Sequence, residues 1–242
     1  MRPGQSAVRA FFFAVLIAFI AMSAPSLAGE CLPQSSNAQE TRAIVVGFVG
    51  GFVRPDDQSH GEVPMVEQLR AAYGDRVRIQ LFTNRDVDEA HQAILRWMGQ
   101  PRRPLPIILF GNSWGASAAI VLARKLQADG VAVLLTIQVD SISRHGEDNS
   151  LIPGNVAEAV NFYQTRGILR GRQRIIAEDP TRTRILGNFL VEYKSPPAEC
   201  QQYPWYDRLL TPGHISIDCD PQLWARVAVL IREHLQSVRS IQ

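Results

Sequence analysis

The sequence predicts an α/β fold with a mainly parallel sheet covered by helices on both faces, and three observations carry that prediction. Apolar, β-branched runs alternate with stretches of helical spacing from Ala43 onwards. Residues 131–139 form a nearly continuous apolar run, as strands buried on both faces do. The pentapeptide Gly111-Asn112-Ser113-Trp114-Gly115 stands between an apolar run and an alanine-rich helical stretch, the setting of a sharp strand-to-helix turn.

Residues 1–28 read as a secretory signal peptide. Arg2 and Arg9 flank a short polar start, residues 11–22 are wholly apolar, and Ser26-Leu27-Ala28 offers small residues for cleavage. The apolar stretch is short for a membrane span, so no stable span is expected after cleavage. Residues 29–42 read as a flexible N-terminal segment and residues 43–242 as one domain, since about 210 residues support one well-buried core. The formal net charge of +2 falls to zero once Arg2 and Arg9 are gone, which gives no reason to expect nucleic acid as a partner. Export, to a periplasm or beyond the cell, brings an oxidising compartment. Of the three cysteines, Cys200 and Cys219 are the expected disulfide, because Cys31 lies in the N-terminal segment.

Along the domain, residues 43–53 are apolar and glycine-punctuated, the first strand and its following loop. Residues 64–73 have helical spacing with Pro64 at the tolerated first position. Residues 77–82 alternate as a strand and residues 86–98 are helical. Residues 106–110 form the strand before the pentapeptide and residues 116–125 the helix after it. The run 131–139 is a further strand, and 142–153, mostly polar, reads either as a loop on the active side or as an ordinary surface connection. Residues 155–164 suggest an amphipathic helix, 184–193 a strand around an awkward Gly187, and 222–235 a closing helix. No repeat is visible, and no insertion is long enough for a large lid domain.

A Gly-x-Ser-x-Gly turn holds a serine at the tip of an elbow, where glycine is needed because a side chain would crowd the turn or the helix packed against its strand. A serine hydroxyl is a poor nucleophile at neutral pH, so Ser113 needs an imidazole to take its proton and an acid to orient that imidazole. Asp140 directly follows the strand after the elbow helix, where a parallel sheet delivers its loop beside the nucleophile; Glu192 is the competing acid. His214, in a predicted loop 211–214 before the last helix, is the candidate base. His91 and His234 fall on helices, His60 lies far upstream, and His145 follows Asp140 too closely to come from a separate strand. Developing negative charge needs backbone N–H donors: Trp114 by its position after Ser113, and Val49 or Phe48 in the glycine-rich run 47–52. That run lacks both Gly-x-Gly-x-x-Gly spacing and a P-loop lysine, so no cofactor is expected. Asp56, Asp57 and His60 lie close together but read as turn chemistry, and no metal is expected.

With Ser113, Asp140 and His214 in place, the chain resembles the α/β-hydrolase superfamily over residues 43–235. The position of the acid looks like that of the thioesterase branch. Residues 47–52, Ser113-Trp114-Gly115, residues 135–141 and Asn161-Phe162-Tyr163-Gln164 look like a little-characterised bacterial group of α/β-hydrolase-like proteins. The resemblance implies a single-domain α/β-hydrolase fold, a chain order of nucleophile, acid and base, and an acyl ester or thioester as small-molecule substrate. Two departures stand out: Asn112 replaces the histidine common before the nucleophile, and Gly47-Phe48 replaces the usual His-Gly of the oxyanion loop. The rival functions are a non-catalytic binding protein on the same scaffold and a peptidase or amide hydrolase with the same triad.

Overall fold

The computed structural model describes residues 41–143 and 148–239. The predicted leader, the N-terminal segment up to residue 40 with Cys31, and His145 lie outside the described residues. Eight strands and six α-helices follow one another as β1 (Ala43–Phe48), α1 (Glu62–Tyr73), β2 (Val77–Phe82), α2 (Val87–Met98), β3 (Ile107–Asn112), α3 (Trp114–Ala128), β4 (Val133–Val139), β5 (Leu151–Ile152), β6 (Val156–Tyr163), β7 (Ile176–Ala177), β8 (Arg184–Leu190), α4 (Trp205–Leu210), α5 (Pro212–Asp218) and α6 (Pro221–Arg239). Six strands make one sheet in the order β2-β1-β3-β4-β6-β8, every pair parallel, while β5 and β7 pair separately.

Alternation along β1 shows how the layers form. Val45 faces a core built with Val66 and Leu69 of α1 and Val227 and Ile231 of α6. Ile44, Val46 and Phe48 face the opposite core, with Ile94 of α2 and Ile120 and Leu122 of α3. A period of two thus serves two buried faces, which is why β1 is apolar throughout. This is the architecture of an α/β-hydrolase fold, and no lid domain stands among the described residues. Nor is any described helix long and apolar enough to cross a membrane.

Three expectations need correction. Residues 155–164 are not a helix: Val156–Tyr163 is β6, paired between β4 and β8. Buried on both sides, it shows apolar residues at mixed spacings, and tertiary pairing decides between the two periods. In the first helix Pro64 is the third residue rather than the first, because α1 starts at Glu62; the missing N–H still costs nothing in the first turn. His214 lies not in a loop but in the first turn of α5, whose first residue is Pro212. The awkward Gly187 sits at an irregularity: Ala159 pairs with Ile185 and Val160 with Gly187, leaving Leu186 as the extra residue of a bulge.

The chain runs from β1 out to β2, then returns past β1 to β3. The crevice outside the carboxyl ends of β1 and β3 is therefore the switch point of the sheet, where α/β folds collect ligands. Both glycine-bearing turns of the sequence, after β1 and after β3, open there.

Candidate active site

Ser113 caps α3 with φ 55° and ψ −121°, a conformation that costs a residue with a side chain on the order of 1–3 kcal/mol. Its surroundings hold it there. The Ser113 N–H donates to the Val139 carbonyl at 2.9 Å, and its own carbonyl accepts from Ala116 at 3.1 Å and Ile142 at 3.2 Å. A Cβ on Gly111 would lie 2.3 Å from the carbonyl carbon of Gly115, and one on Gly115 would lie 2.2 Å from the Phe48 oxygen. Backbone stands in the way at both places, so the elbow requires both glycines.

Asp140 directly follows β4, at φ 41°, and is wholly buried. Its Oδ1 accepts from the Gly171 N–H at 2.8 Å; its Oδ2 accepts from Gln164 Nε2 at 2.9 Å and lies 2.7 Å from His214 Nδ1. Three donors converge on a carboxylate cut off from water, the condition under which a buried charge is tolerated. With Nδ1 taken by Asp140, the other ring nitrogen of His214 is the one available to a hydroxyl. Ser113 and His214 line one cavity of about 470 Å³. The segment carrying His214 is bracketed by the Cys200–Cys219 disulfide, with Cα atoms 5.4 Å apart.

Trp114 opens α3 and also lines the cavity, where its ring meets the exposed Phe52 at 5.4 Å between centroids. Val49 does not serve as expected. Its N–H donates to the Phe82 carbonyl at 3.0 Å, extending the ladder of β1 on β2 and turning that donor away from any substrate. Phe48 is the last residue of β1. Gly50 and Gly51, which follow Val49, do line the cavity; a Cβ on Gly51 would lie 2.5 Å from the Trp114 ring.

Glu192 is exposed and lies in a separate depression with Tyr193 and Pro196, away from Ser113. His91 pairs with Asp129 at 2.5 Å and His234 with Glu158 at 2.7 Å, both outside the cavity. Asp56 pairs with Arg54, and Asp57 accepts from the Ser59 N–H and hydroxyl at 3.0 and 2.6 Å, as turn chemistry requires. His60 keeps its Nε2 4.0 Å from Asp57 Oδ2 and turns its other nitrogen inward, Nδ1 lying 2.7 Å from Asp218 Oδ2.

That inward turn creates a second polar group in the same cavity. Asp218 Oδ2 also accepts from the Tyr203 hydroxyl at 2.8 Å, and its Oδ1 accepts from Asn112 Nδ2 at 2.7 Å. Burial lowers the His60 pKa, but the hydrogen bond and charge of Asp218 outweigh it and leave the imidazole raised above its usual value. Burial, then the charge of Asp218, holds Glu62 well above the ordinary carboxylate range. Among these residues only His60 and Asn112 drew attention in the sequence, His60 with Asp56 and Asp57 and Asn112 as a departure before the nucleophile. Asp218 and Glu62 lie 156 positions apart in the sequence, and no spacing rule joins them.

No family model matches the chain, and no curated protein matches it. Solved structures similar to it include ClbQ from the colibactin NRPS/PKS pathway, 8% identical with a TM-score of 0.45, covering 84% of this chain and 100% of that one. The type II thioesterase BorB from the borrelidin biosynthetic cluster is 12% identical with a TM-score of 0.42, over 82% of this chain and 94% of that one. A cutinase-like protein from Cryptococcus sp. is 12% identical with a TM-score of 0.44, over 82% and 97%.

Proposed function

We propose that this protein is an exported serine hydrolase of carboxylic esters or thioesters. The observation that carries the reading is the strained Ser113 turn sharing a cavity with a histidine whose Nδ1 is held by a buried aspartate. Ser113 Oγ attacks the acyl carbon while His214 takes its proton, and Asp140 holds the ring and stabilises the imidazolium that forms. The imidazolium returns the proton to the leaving alcohol or thiol. Water then attacks the acyl-enzyme and gives a proton to His214, and the imidazolium passes that proton to Ser113 Oγ as the carboxylic acid leaves.

Negative charge on the carbonyl oxygen is met at the N-terminus of α3, where Trp114 follows the nucleophile and the helix dipole favours an anion. With Val49 committed to Phe82, the second donor moves along the loop to Gly51, whose backbone packs on Trp114. An acyl substrate suits the mouth of the cavity. Phe52 stands 87% exposed beside Trp114, and α4, next to the lining residues Pro204 and Thr211, presents exposed Trp205, Leu209 and Leu210. Apolar surface of this kind, unburied by the fold, marks a place for an apolar group to bind.

Residues 1–28 act as a cleaved leader, residues 29–42 as a segment preceding the domain, and residues 43–242 as the domain itself. A disulfide between Cys200 and Cys219 supports folding in an oxidising compartment. Labelling with a fluorophosphonate probe, abolished by Ser113→Ala on folded protein, tests the nucleophile. A chain-length series of acyl esters and thioesters beside peptide substrates tests the substrate class. Absence of labelling in the wild-type protein would overturn the reading in favour of a binding protein.

A further inference from the structure

We propose that His60, Glu62 and Asp218 bind a divalent transition-metal cation of the zinc class beside the serine site. One ligand atom from each of the three lies within 4.8 Å of the others. A tetrahedral zinc ion with bonds of about 2.0–2.2 Å separates its ligands by roughly 3.3 Å. The separations between the three ligand atoms therefore exceed that spacing by at most about 1.5 Å.

The case begins with Glu62. It is wholly buried, and among the described residues no hydrogen bond of good geometry reaches either carboxylate oxygen. Asp218 beside it is 4% exposed. Two acids buried together are tolerated only when a proton or a cation is shared between them. The ion pairs His91–Asp129 and His234–Glu158 have no such unsatisfied third member. One imidazole nitrogen and two carboxylate oxygens form a mixed donor set that suits zinc better than calcium or magnesium, which favour oxygen alone. His60 and Asp218 line the cavity, so a fourth coordination position is open to water and the ion has a route in.

The groups around the cluster orient it. Asn112 and Tyr203 donate to the two oxygens of Asp218, and Trp224 Nε1 donates to its backbone carbonyl at 2.6 Å. Second partners of this kind fix the direction of a ligand. Gly61 separates His60 from Glu62; a Cβ there would lie 2.1 Å from the Trp224 ring and 2.7 Å from the Asp218 backbone carbonyl oxygen. Only glycine lets the two ligands on this turn approach Asp218 so closely. The ion would tie the loop after β1 to the end of α5, the helix that carries His214.

Purified full-length protein, stripped with a chelator and confirmed folded by circular dichroism, is titrated with Zn²⁺ alone by calorimetry, with bound metal counted by mass spectrometry. One equivalent of Zn²⁺ should bind and raise Tm by about 5–10 °C at a hundredfold excess over Kd. Glu62→Gln, similar in volume, should weaken binding at least tenfold. Should that variant not fold, Co²⁺ loaded into the wild-type protein reads the ligands directly, through visible absorption of a tetrahedral site with one nitrogen donor. The proposal is overturned if the folded, stripped protein takes up no Zn²⁺, or if Glu62→Gln binds Zn²⁺ as the wild type does. A Tm rise with Ca²⁺ or Mg²⁺ and none with Zn²⁺ would overturn the donor assignment. None of these readouts uses turnover, so this site and the hydrolase reading stand or fall separately.

Discussion

Gln164 and Asp140 meet at 2.9 Å across the carboxyl ends of adjacent strands: the Gln164 side-chain amide donates to the same Asp140 oxygen that faces His214. The amide is fixed in turn, its nitrogen reaching the Leu169 carbonyl at 2.9 Å and its oxygen accepting from the Arg166 N–H at 2.7 Å. A wholly buried carboxylate is thus set in direction before the histidine is added.

Replacing Gln164 by leucine should therefore lower ester turnover while the protein stays folded. A hydrogen bond to a charged group is worth about 1.5–3 kcal/mol, or about ten- to a hundredfold in rate if it is lost only in the transition state. Steady-state kinetics on an acyl ester should show the loss in kcat rather than KM, because Gln164 touches the acid and not the substrate. An unchanged kcat in folded Gln164→Leu would show that Gly171 alone orients Asp140.

The acid itself is tested by comparison. Asp140→Asn should lower turnover by roughly three to four orders of magnitude, as loss of the orienting carboxylate does in serine triads. Glu192→Gln, at an exposed position outside the cavity, should be nearly silent. Both variants need a check by circular dichroism, since Asp140 also holds Gly171 and Gln164. An active Asp140→Asn beside an inactive Glu192→Gln would move the acid to the strand β8.

How much of this was legible in the sequence follows from which interactions are local. The strand-elbow-helix unit was, because its signal lies within some twenty residues: a buried run, two glycines at fixed spacing and an alanine-rich helix. The places of Asp140 and His214 were legible as chain order. Gln164 was hidden by the helical reading of 155–164; once those residues are strand β6, Gln164 falls at the carboxyl edge beside Asp140. Val49 misled for a related reason, since whether β1 ends at Phe48 or continues its hydrogen bonding one residue further is settled by the Phe82 carbonyl on the neighbouring strand. The group of His60, Glu62 and Asp218 was illegible because it depends on α5 folding back on the loop after β1.

The leader makes an independent prediction. Protein recovered from its native host should begin near Gly29 and lie outside the cytoplasm if residues 1–28, with their charged start, apolar core and small residues at 26–28, act as the proposed leader. N-terminal sequencing decides it. An intact Met1 or a cytosolic location would rule out export.

Cys200 and Cys219 give the last prediction, which joins stability to the site. Both sulfurs are buried, with Tyr203 and Ile215 packed around them in a small cluster apart from the two main cores. The bridge closes a loop with a sequence separation of 19 that contains α4 and the turn bearing His214. With so little core of its own, this segment depends on the crosslink to stay against the sheet. On chain-entropy grounds the bridge contributes on the order of 3 kcal/mol. Its loss in Cys200→Ser/Cys219→Ser should therefore lower Tm by about 6–12 °C for a domain of this size. Below that lowered Tm, fluorophosphonate labelling of Ser113 should slow as well, because His214, the proposed base, rides on the released segment. Addition of a reductant to the wild-type protein should reproduce both effects, which separates the crosslink from the packing of the two side chains. Linked peptides in a non-reduced digest establish that the bond is present in exported protein. Free thiols at both positions there, or a double variant with unchanged Tm and labelling rate, would show that packing against Tyr203 and Ile215 holds His214 in place without the bond.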